Sequence, residues 1–336
     1  IRDQPRSRGL GDVYKRQGDV KLDIADLEKK YDAVLEPIFK NSLPEMPRPV
    51  SVAYDKGCDL LINKAPGTIA KPKVLIPVFP GTNCEYDMAA AFNRYGGEAE
   101  IFVIRNLSAK NMEDSVNEFA KRIEDSQMIA VPGGFSGGDE PEGSAKFINA
   151  FFRNPKIKDA VENMLYARDG LMIGICNGFQ ALIKLGLVPF GKIVPLSSES
   201  PTLTYNTIGR HQSQLALTKI CTNKSPWLMH CKVGEVYNIP ISHGEGRFVA
   251  SDEVIAKLIE NGQIATQYVD LNGEPTMDLA YNPNSSMCAI EGIISPDGRV
   301  LGKMGHTERI SSDTCVNVDG NKEQLLFKGG VDYFRI

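Results

Sequence analysis

Histidine is scarce in this chain, with four in 336 residues, and tryptophan occurs once. No apolar run approaches the length of a membrane span, and no N-terminal apolar stretch reads as a signal peptide. Positive charge is not in excess either. The net charge is −4 with Lys and Arg dispersed, which leaves no electrostatic case for nucleic acid or a membrane as partner. The seven cysteines are scattered, odd in number and without a CxxC pair, so they write no disulfide framework. A reducing cytoplasm suits them. No internal repeat or low-complexity tract is present.

What is there is an ordinary globular composition, 42% hydrophobic, enough for one large domain or two smaller ones. The first 17 residues, "IRDQPRSRGLGDVYKRQ", are basic and aperiodic, and resemble a translated sequencing adapter more than a folded segment. They are expected to be a non-native leader. Leu27, Tyr31, Val34, Leu35 and Ile38 recur at helical spacing after Asp26, predicting an amphipathic helix with nothing local to pack on. Prolines and glycines then make a connection, so residues 18–72 are expected to be a tail and linker ahead of a domain over 73–336.

From Lys73 strands alternate with helices. "KVLIPVF", "EAEIFVIR", "QMIAVPGG" and "LMIGI" read as strands, with helical segments between them, including residues 112–125 and the two stretches 144–154 and 155–170. The expected fold is α/β, an open and mostly parallel sheet with helices on both faces. In such sheets sites gather at the carboxyl ends of the strands. Beyond residue 195, "EVYNIPISHGEGRFVA", "QIATQYVD" and "RVLGKMGHTERI" are strand-like.

In "LMIGICNGFQ" Cys176 ends an apolar strand, Asn177-Gly178 turns the chain, and Phe179, Ala181, Leu182 and Leu185 continue at helical spacing. Strand, cysteine, tight turn and helix make the layout of a nucleophile elbow, and a helix N-terminus favours thiolate. A buried cysteine acting only as a small hydrophobe is the competing reading. Gly133 and Gly134 in "VPGGFSGGDEPEG" end another strand. No Gly-Lys-Ser/Thr follows, so the loop is not a phosphate-binding P-loop. It is either a flexible connection or a source of backbone N–H groups for an oxyanion.

A cysteine nucleophile needs a base. His230 and Cys231 sit beside Trp227 and Met229 and read as packing, while Cys84 and Cys221 lack the spaced partners of a zinc site. His243 in "SHGEGR" and His306 in "GHTERI" each carry Glu two residues later, on the same side of an extended segment. Either glutamate could orient its imidazole. The residues alone leave both histidines open.

Together, "GICNGFQ", "GHTERI" and "PGGFSGGD" resemble a class I (triad) glutamine amidotransferase, over about residues 73–310. With "NTIGRH" and "SHGEGR" between them, the resemblance is nearest to the glutaminases of formylglycinamide ribonucleotide amidotransferases. It implies a flavodoxin-like sheet, Cys176 as nucleophile, His306 as base and Glu308 as its orienting partner. It also implies oxyanion donors at Gly134 and Asn177, next to Gly133, and a glutamine pocket lined by Phe135 and Gln180. Asn206, Arg210 and His243 are further candidates for holding glutamine or for the face that meets the synthetase. The implied partners are L-glutamine and a synthetase region of the same parent chain, with ATP and Mg2+ belonging to that region and no cofactor or metal in this one. Thr307 stands where the family's motif usually has proline, which implies a less rigid His–Glu turn. A stand-alone cysteine amidase or γ-glutamyl hydrolase, a glutaminase serving another acceptor, and a non-catalytic binding module are the alternatives.

Overall fold

The computed structural model describes residues 14–17, 20–38, 40, 46–58, 68–137 and 144–335. The chain divides into two units, residues 1–45 and 46–336. In the first, β1 (Tyr14–Gln17) pairs antiparallel with β2 (Val20–Asp23), and α1 (Ile24–Leu35) follows, capped by the Asp23 carboxylate on the Asp26 N–H. Residues 14–17 of the expected leader therefore form half of a two-stranded ribbon; residues 1–13 lie outside the described ones. The helix is present as expected, and none of its residues is buried.

The second unit is built on a nine-stranded sheet. Its elements, in chain order, are β3 (Lys73–Val78), α2 (Glu85–Arg94), β4 (Glu98–Val103), α3 (Ala109–Asp125), β5 (Met128–Val131), α4 (Lys146–Phe152), α5 (Pro155–Glu162), β6 (Leu171–Ile175) and α6 (Asn177–Leu185). Then come β7 (Thr202–Thr204), β8 (Gln212–Ile220), β9 (Val236–His243), β10 (Arg247–Val249), α7 (Asp252–Glu260), β11 (Ile264–Tyr268), β12 (Ile290–Ile294), β13 (Val300–Lys303) and α8 (Leu326–Tyr333). The strand order is β4-β3-β5-β6-β13-β12-β11-β8-β9. From β4 to β13 every pair is parallel; from β13 to β9 every pair is antiparallel. β7 and β10 form a separate two-stranded ribbon.

The parallel half follows the expected alternation because its central strands β5 and β6 are buried on both faces and read as continuous apolar runs, while β4 at the edge is mostly half-exposed. Three helices, α3, α5 and α7, start at local capping signals: the hydroxyls of Ser108 and Ser251 accept from the Asn111 and Val254 N–H groups, and Asn154 caps ahead of Pro155. The helical stretch expected over 155–170 stops being α-helix at Glu162 and runs on as a π-helical turn, Asn163–Ala167. Phe79, Phe119, Phe151 and Phe152 contact edge-on beside the parallel strands. Trp227 is fully buried, with its indole N–H donating to the Arg299 carbonyl at 3.0 Å.

Residues 46–58 belong to this unit, ahead of the boundary expected at residue 73. Composition suggested a linker, but the segment is tied down by backbone and side-chain polar groups. The Gln267 amide receives the Val52 N–H at 2.9 Å and donates to the Val50 carbonyl at 3.0 Å. Tyr54 N–H donates to the Cys221 carbonyl at 2.8 Å, and Val52 is buried. Among the described residues no helix is long and apolar enough to cross a membrane.

β5 and β6 pair in parallel, and α6 leaves β6 so closely that Gly178 lies against the Val131 backbone. A Cβ on Gly178 would fall 2.0 Å from the Val131 carbonyl oxygen. Helix propensity alone would make Gly178→Ala stabilising by about 1 kcal/mol. The contact reverses the sign, and we expect a loss of about 1–3 kcal/mol from overpacking. Denaturant unfolding of that variant measures it; a raised midpoint would contradict this packing.

Candidate active site

The carboxyl ends of β3, β5, β6 and β13 open on the same edge of the sheet, and the candidate residues collect there. Cys176 follows β6 directly with φ 56° and ψ −109°, a region in which a residue with a Cβ is strained. Its N–H donates to the Lys303 carbonyl at 2.9 Å, and its own carbonyl receives the Gln180 N–H at 3.0 Å. Gly174 and Gly178 make room for this turn: a Cβ on Gly174 would come within 2.6 Å of the Gly178 backbone. The glycines of "GICNG" are thus steric requirements of the elbow.

His306 stands just past β13, its N–H held by the Pro240 carbonyl of β9 at 2.8 Å. Its Nδ1 meets Glu308 Oε1 at 2.6 Å, with both side chains buried. A 3-10 turn, Thr307–Arg309, makes this i, i+2 contact rather than the extended segment expected. His243 ends β9 and stacks on His306, with ring centroids 5.6 Å apart. The Cys176 sulfur and one nitrogen from each of these rings lie within 4.8 Å of one another. The two histidines left open by the sequence are therefore both at the cysteine, but among the described residues only His306 is paired with a buried carboxylate. Glu245 instead forms part of the cavity wall.

That cavity, about 530 Å³, has Cys176 in its lining, with Gly134, Phe135, Gln180, Arg210 and His243. Its size suits a small polar metabolite. Gly133 packs behind it, where a Cβ would approach His306 Cε1 to 2.8 Å. The Asn83 and Phe135 N–H groups are spent on the Gly133 and Gly81 carbonyls, and Gly134 lies between them with φ 141°. Asn177 and Gln180 fix each other: the Asn177 amide donates to Gln180 Oε1 at 2.9 Å, and Gln180 Nε2 donates to the Glu245 carbonyl at 2.6 Å. Asn206 is placed behind the wall, donating to the Arg210 and His243 carbonyls at 3.0 and 2.8 Å. It ties one loop of the wall to the end of β9.

Residues 71–334 match the family of CobB/CobQ-like glutamine amidotransferase domains. This chain belongs to that family. It is 34% identical over 262 residues to the phosphoribosylformylglycinamidine synthase subunit PurQ of Chlorobium chlorochromatii, covering 75% of this chain and 93% of the relative. The same-named subunit of Aquifex aeolicus is 33% identical over 249 residues, covering 74% and 95%. A solved structure titled PurLQS, from Thermotoga maritima, aligns with a TM-score of 0.56 at 25% identity, over 78% of this chain and 99% of that one.

The electrostatics of this amidotransferase's cluster are coupled. Burial alone would push the Cys176 thiol up, but His243 and then His306 outweigh it and hold the thiol well below its usual range. Burial would likewise discharge His306, yet the Glu308 carboxylate and the Cys176 thiolate raise it well above an ordinary imidazole. The Glu308 carboxyl is depressed against its burial by His306. The direction throughout is toward thiolate, imidazolium and carboxylate.

Two features escaped the sequence reading. Cys84 has Arg309 donating to its sulfur at 3.1 Å and lies 4.0 Å from His306 Nδ1. Nothing in its spacing announces this, because α2 and the 3-10 turn meet only in the fold. Thr307, expected to loosen the turn, is buried and bonded on both sides: it accepts from Lys303 Nζ at 2.9 Å and donates to Gln324 at 2.7 Å. Hydrogen bonds here supply the restraint that a proline ring would give by fixing φ. Lys303 is itself paired with the fully buried Glu291. His211, Ser242 and Tyr205 also line the cavity, and the first two adjoin Arg210 and His243 in the quoted motifs.

A depressed thiol pKa means thiolate survives at a pH where an ordinary cysteine, near about 8.5, is protonated. Iodoacetamide should therefore label Cys176 rapidly at about pH 6.5, with a rate midpoint that rises in both His243→Gln and His306→Gln. Mass-spectrometric rates across pH test this. A midpoint at the ordinary thiol value in the unmodified protein would contradict it.

Proposed function

We propose that this chain is the glutaminase of a phosphoribosylformylglycinamidine synthase, releasing ammonia from glutamine for a partner synthetase. The observation that carries the chemistry is the buried Cys176–His306–Glu308 cluster opening on a cavity of metabolite size. The acceptor reaction is supported by the PurQ relatives, whose length this chain nearly spans. ATP and Mg2+ would act on the synthetase, where the formyl-amide oxygen of formylglycinamide ribonucleotide is activated. The relatives are named as subunits, so the synthetase is either a separate chain or a region joined to this one.

In this reading the Cys176 thiolate attacks the side-chain carbonyl carbon of glutamine. The C=O electron pair moves onto oxygen, where the Gly134 and Asn177 N–H groups stabilise the oxyanion. His306, protonated at the start, gives its proton to the amide nitrogen as the C–N bond breaks and ammonia leaves. A γ-glutamyl thioester is left on Cys176. Neutral His306 then takes a proton from water, hydroxide adds to the thioester, and collapse releases glutamate and restores the thiolate. Glu308 holds the imidazole in orientation and stabilises its charged form. His243 favours the thiolate and shapes the wall.

Steady-state glutamine hydrolysis separates these roles. Cys176→Ala should abolish turnover, and His306→Ala should lower kcat by roughly 10²–10⁴-fold. Glu308→Gln should fall short of that loss, and His243→Ala should act more on KM or on coupling to the synthetase. Near-normal turnover in His306→Ala beside a dead His243→Ala would overturn the assignment of the base. Adding the synthetase, formylglycinamide ribonucleotide and ATP tests the acceptor: no amidine product, with glutamate still formed, would point to a stand-alone amidase or another acceptor.

A further inference from the structure

The cluster around Cys176 holds a second histidine, His243, that moves no proton in the hydrolysis above. His243 and His306 are both buried, and in each ring Nε2 makes no hydrogen bond of good geometry among the described residues. Both rings are paired electrostatically with the same Cys176 sulfur, so two buried imidazole nitrogens share one weak partner. Their other nitrogens are already engaged. His306 Nδ1 is held by Glu308 at 2.6 Å, and His243 Nδ1 faces the Asn284 amide at 3.5 Å. Both rings therefore present Nε2 as the nitrogen left to bind.

We propose that Cys176, His243 and His306 form a binding site for a thiophilic divalent cation, Zn2+ being the type, whose occupancy blocks the cysteine. One sulfur and two imidazoles are a zinc-class donor set, with a fourth position left for water. Cys176 and His243 both line the cavity, so that position faces an entry path. The three donor atoms lie within 4.8 Å of one another. Bonds of about 2.3 Å to sulfur and 2.0–2.1 Å to nitrogen would set them roughly 3.3–3.6 Å apart. The closure needed is at most about 1.5 Å, within reach of small side-chain rotations.

Binding would displace a proton from His306 and leave Glu308 at Nδ1 as the outer partner of a carboxylate–histidine–metal arrangement. No spacing motif marks the site, because its ligands come from the ends of β6 and β9 and the turn after β13. A second set, Cys84, His306 and Glu308, also lies within 4.8 Å. It would use His306 Nδ1 and break the 2.6 Å pair with Glu308, so the first set is favoured. The ion is an inhibitor here, not a cofactor. That consequence rests on the glutaminase reading; the binding itself does not.

The test is metal binding to the full chain after chelator stripping, with Zn2+ titrated against a chromophoric chelator and Co2+ followed by absorption. One ion per chain is expected, with a thiolate-to-Co2+ charge-transfer band that vanishes in Cys176→Ser and after alkylation of Cys176. His243→Gln should weaken Zn2+ by more than the roughly 10–100-fold that loss of an outer partner costs. Cys84→Ser should keep both the band and the affinity. Unchanged affinity in His243→Gln, or loss of the band in Cys84→Ser alone, would overturn the site. If Zn2+ binds as described yet the metal-stripped chain, with its synthetase added, hydrolyses no glutamine, the site stands and the glutaminase reading fails.

Discussion

The site depends on the parallel pairing of β6 with β13. That ladder sets Ile175 opposite Lys303, and the next hydrogen bond runs from the Cys176 N–H to the Lys303 carbonyl at 2.9 Å. The same lysine then reaches forward with its side chain, donating to the Gly305 carbonyl and to Thr307 on either side of His306. One residue thus holds the Cys176 turn by its backbone and the His–Glu turn by its ammonium. A buried ammonium is tolerable because Glu291, fully buried, compensates it. The strain at Cys176 persists for a related reason. Hydrogen bonds before and after it, and two glycines that admit the close approach of α6, leave the turn no cheaper conformation.

β13 is also where the sheet changes direction. Its parallel side delivers Cys176 and the Gly133-Gly134 turn from neighbouring strand ends. Its antiparallel side runs out to β9 and brings His243 back over His306. The thiol is consequently flanked by two imidazoles supplied from opposite halves of one sheet. Their proximity outweighs the burial that would otherwise hold the sulfur protonated. Burial and charge oppose each other at Cys176, His306 and Glu308, and charge wins because these groups are mutually close.

The parallel half was legible in the sequence because its central strands are short apolar runs bounded by turn residues, and the elbow because its glycines flank the cysteine. Less was legible beyond residue 195. β12 carries a buried glutamate, Glu291, in its apolar run, and β8 mixes buried and half-exposed positions, so neither gives a clean period. The choice between His243 and His306 could not be read from their equal Glu spacing. It turns on a 3-10 turn after one and an open bend after the other. Residues 46–58 looked like a linker because their anchoring runs through Gln267 and Cys221, far along the chain. Cys84 has the same explanation: its neighbours Arg309 and His306 are tertiary contacts with no local signature.

The central claim, that the β6–β13 pairing delivers one reactive thiol to a glutamine-binding cavity, is tested most directly by trapping the covalent intermediate. Glutamine is mixed with the protein, the reaction is quenched in acid within the first turnover, and peptides are mapped by mass spectrometry. The expected result is a γ-glutamyl adduct on the peptide carrying Cys176, formed in step with ammonia release and absent from the other six cysteines. Ammonia released without an adduct at Cys176, or an adduct at Cys84, would contradict it.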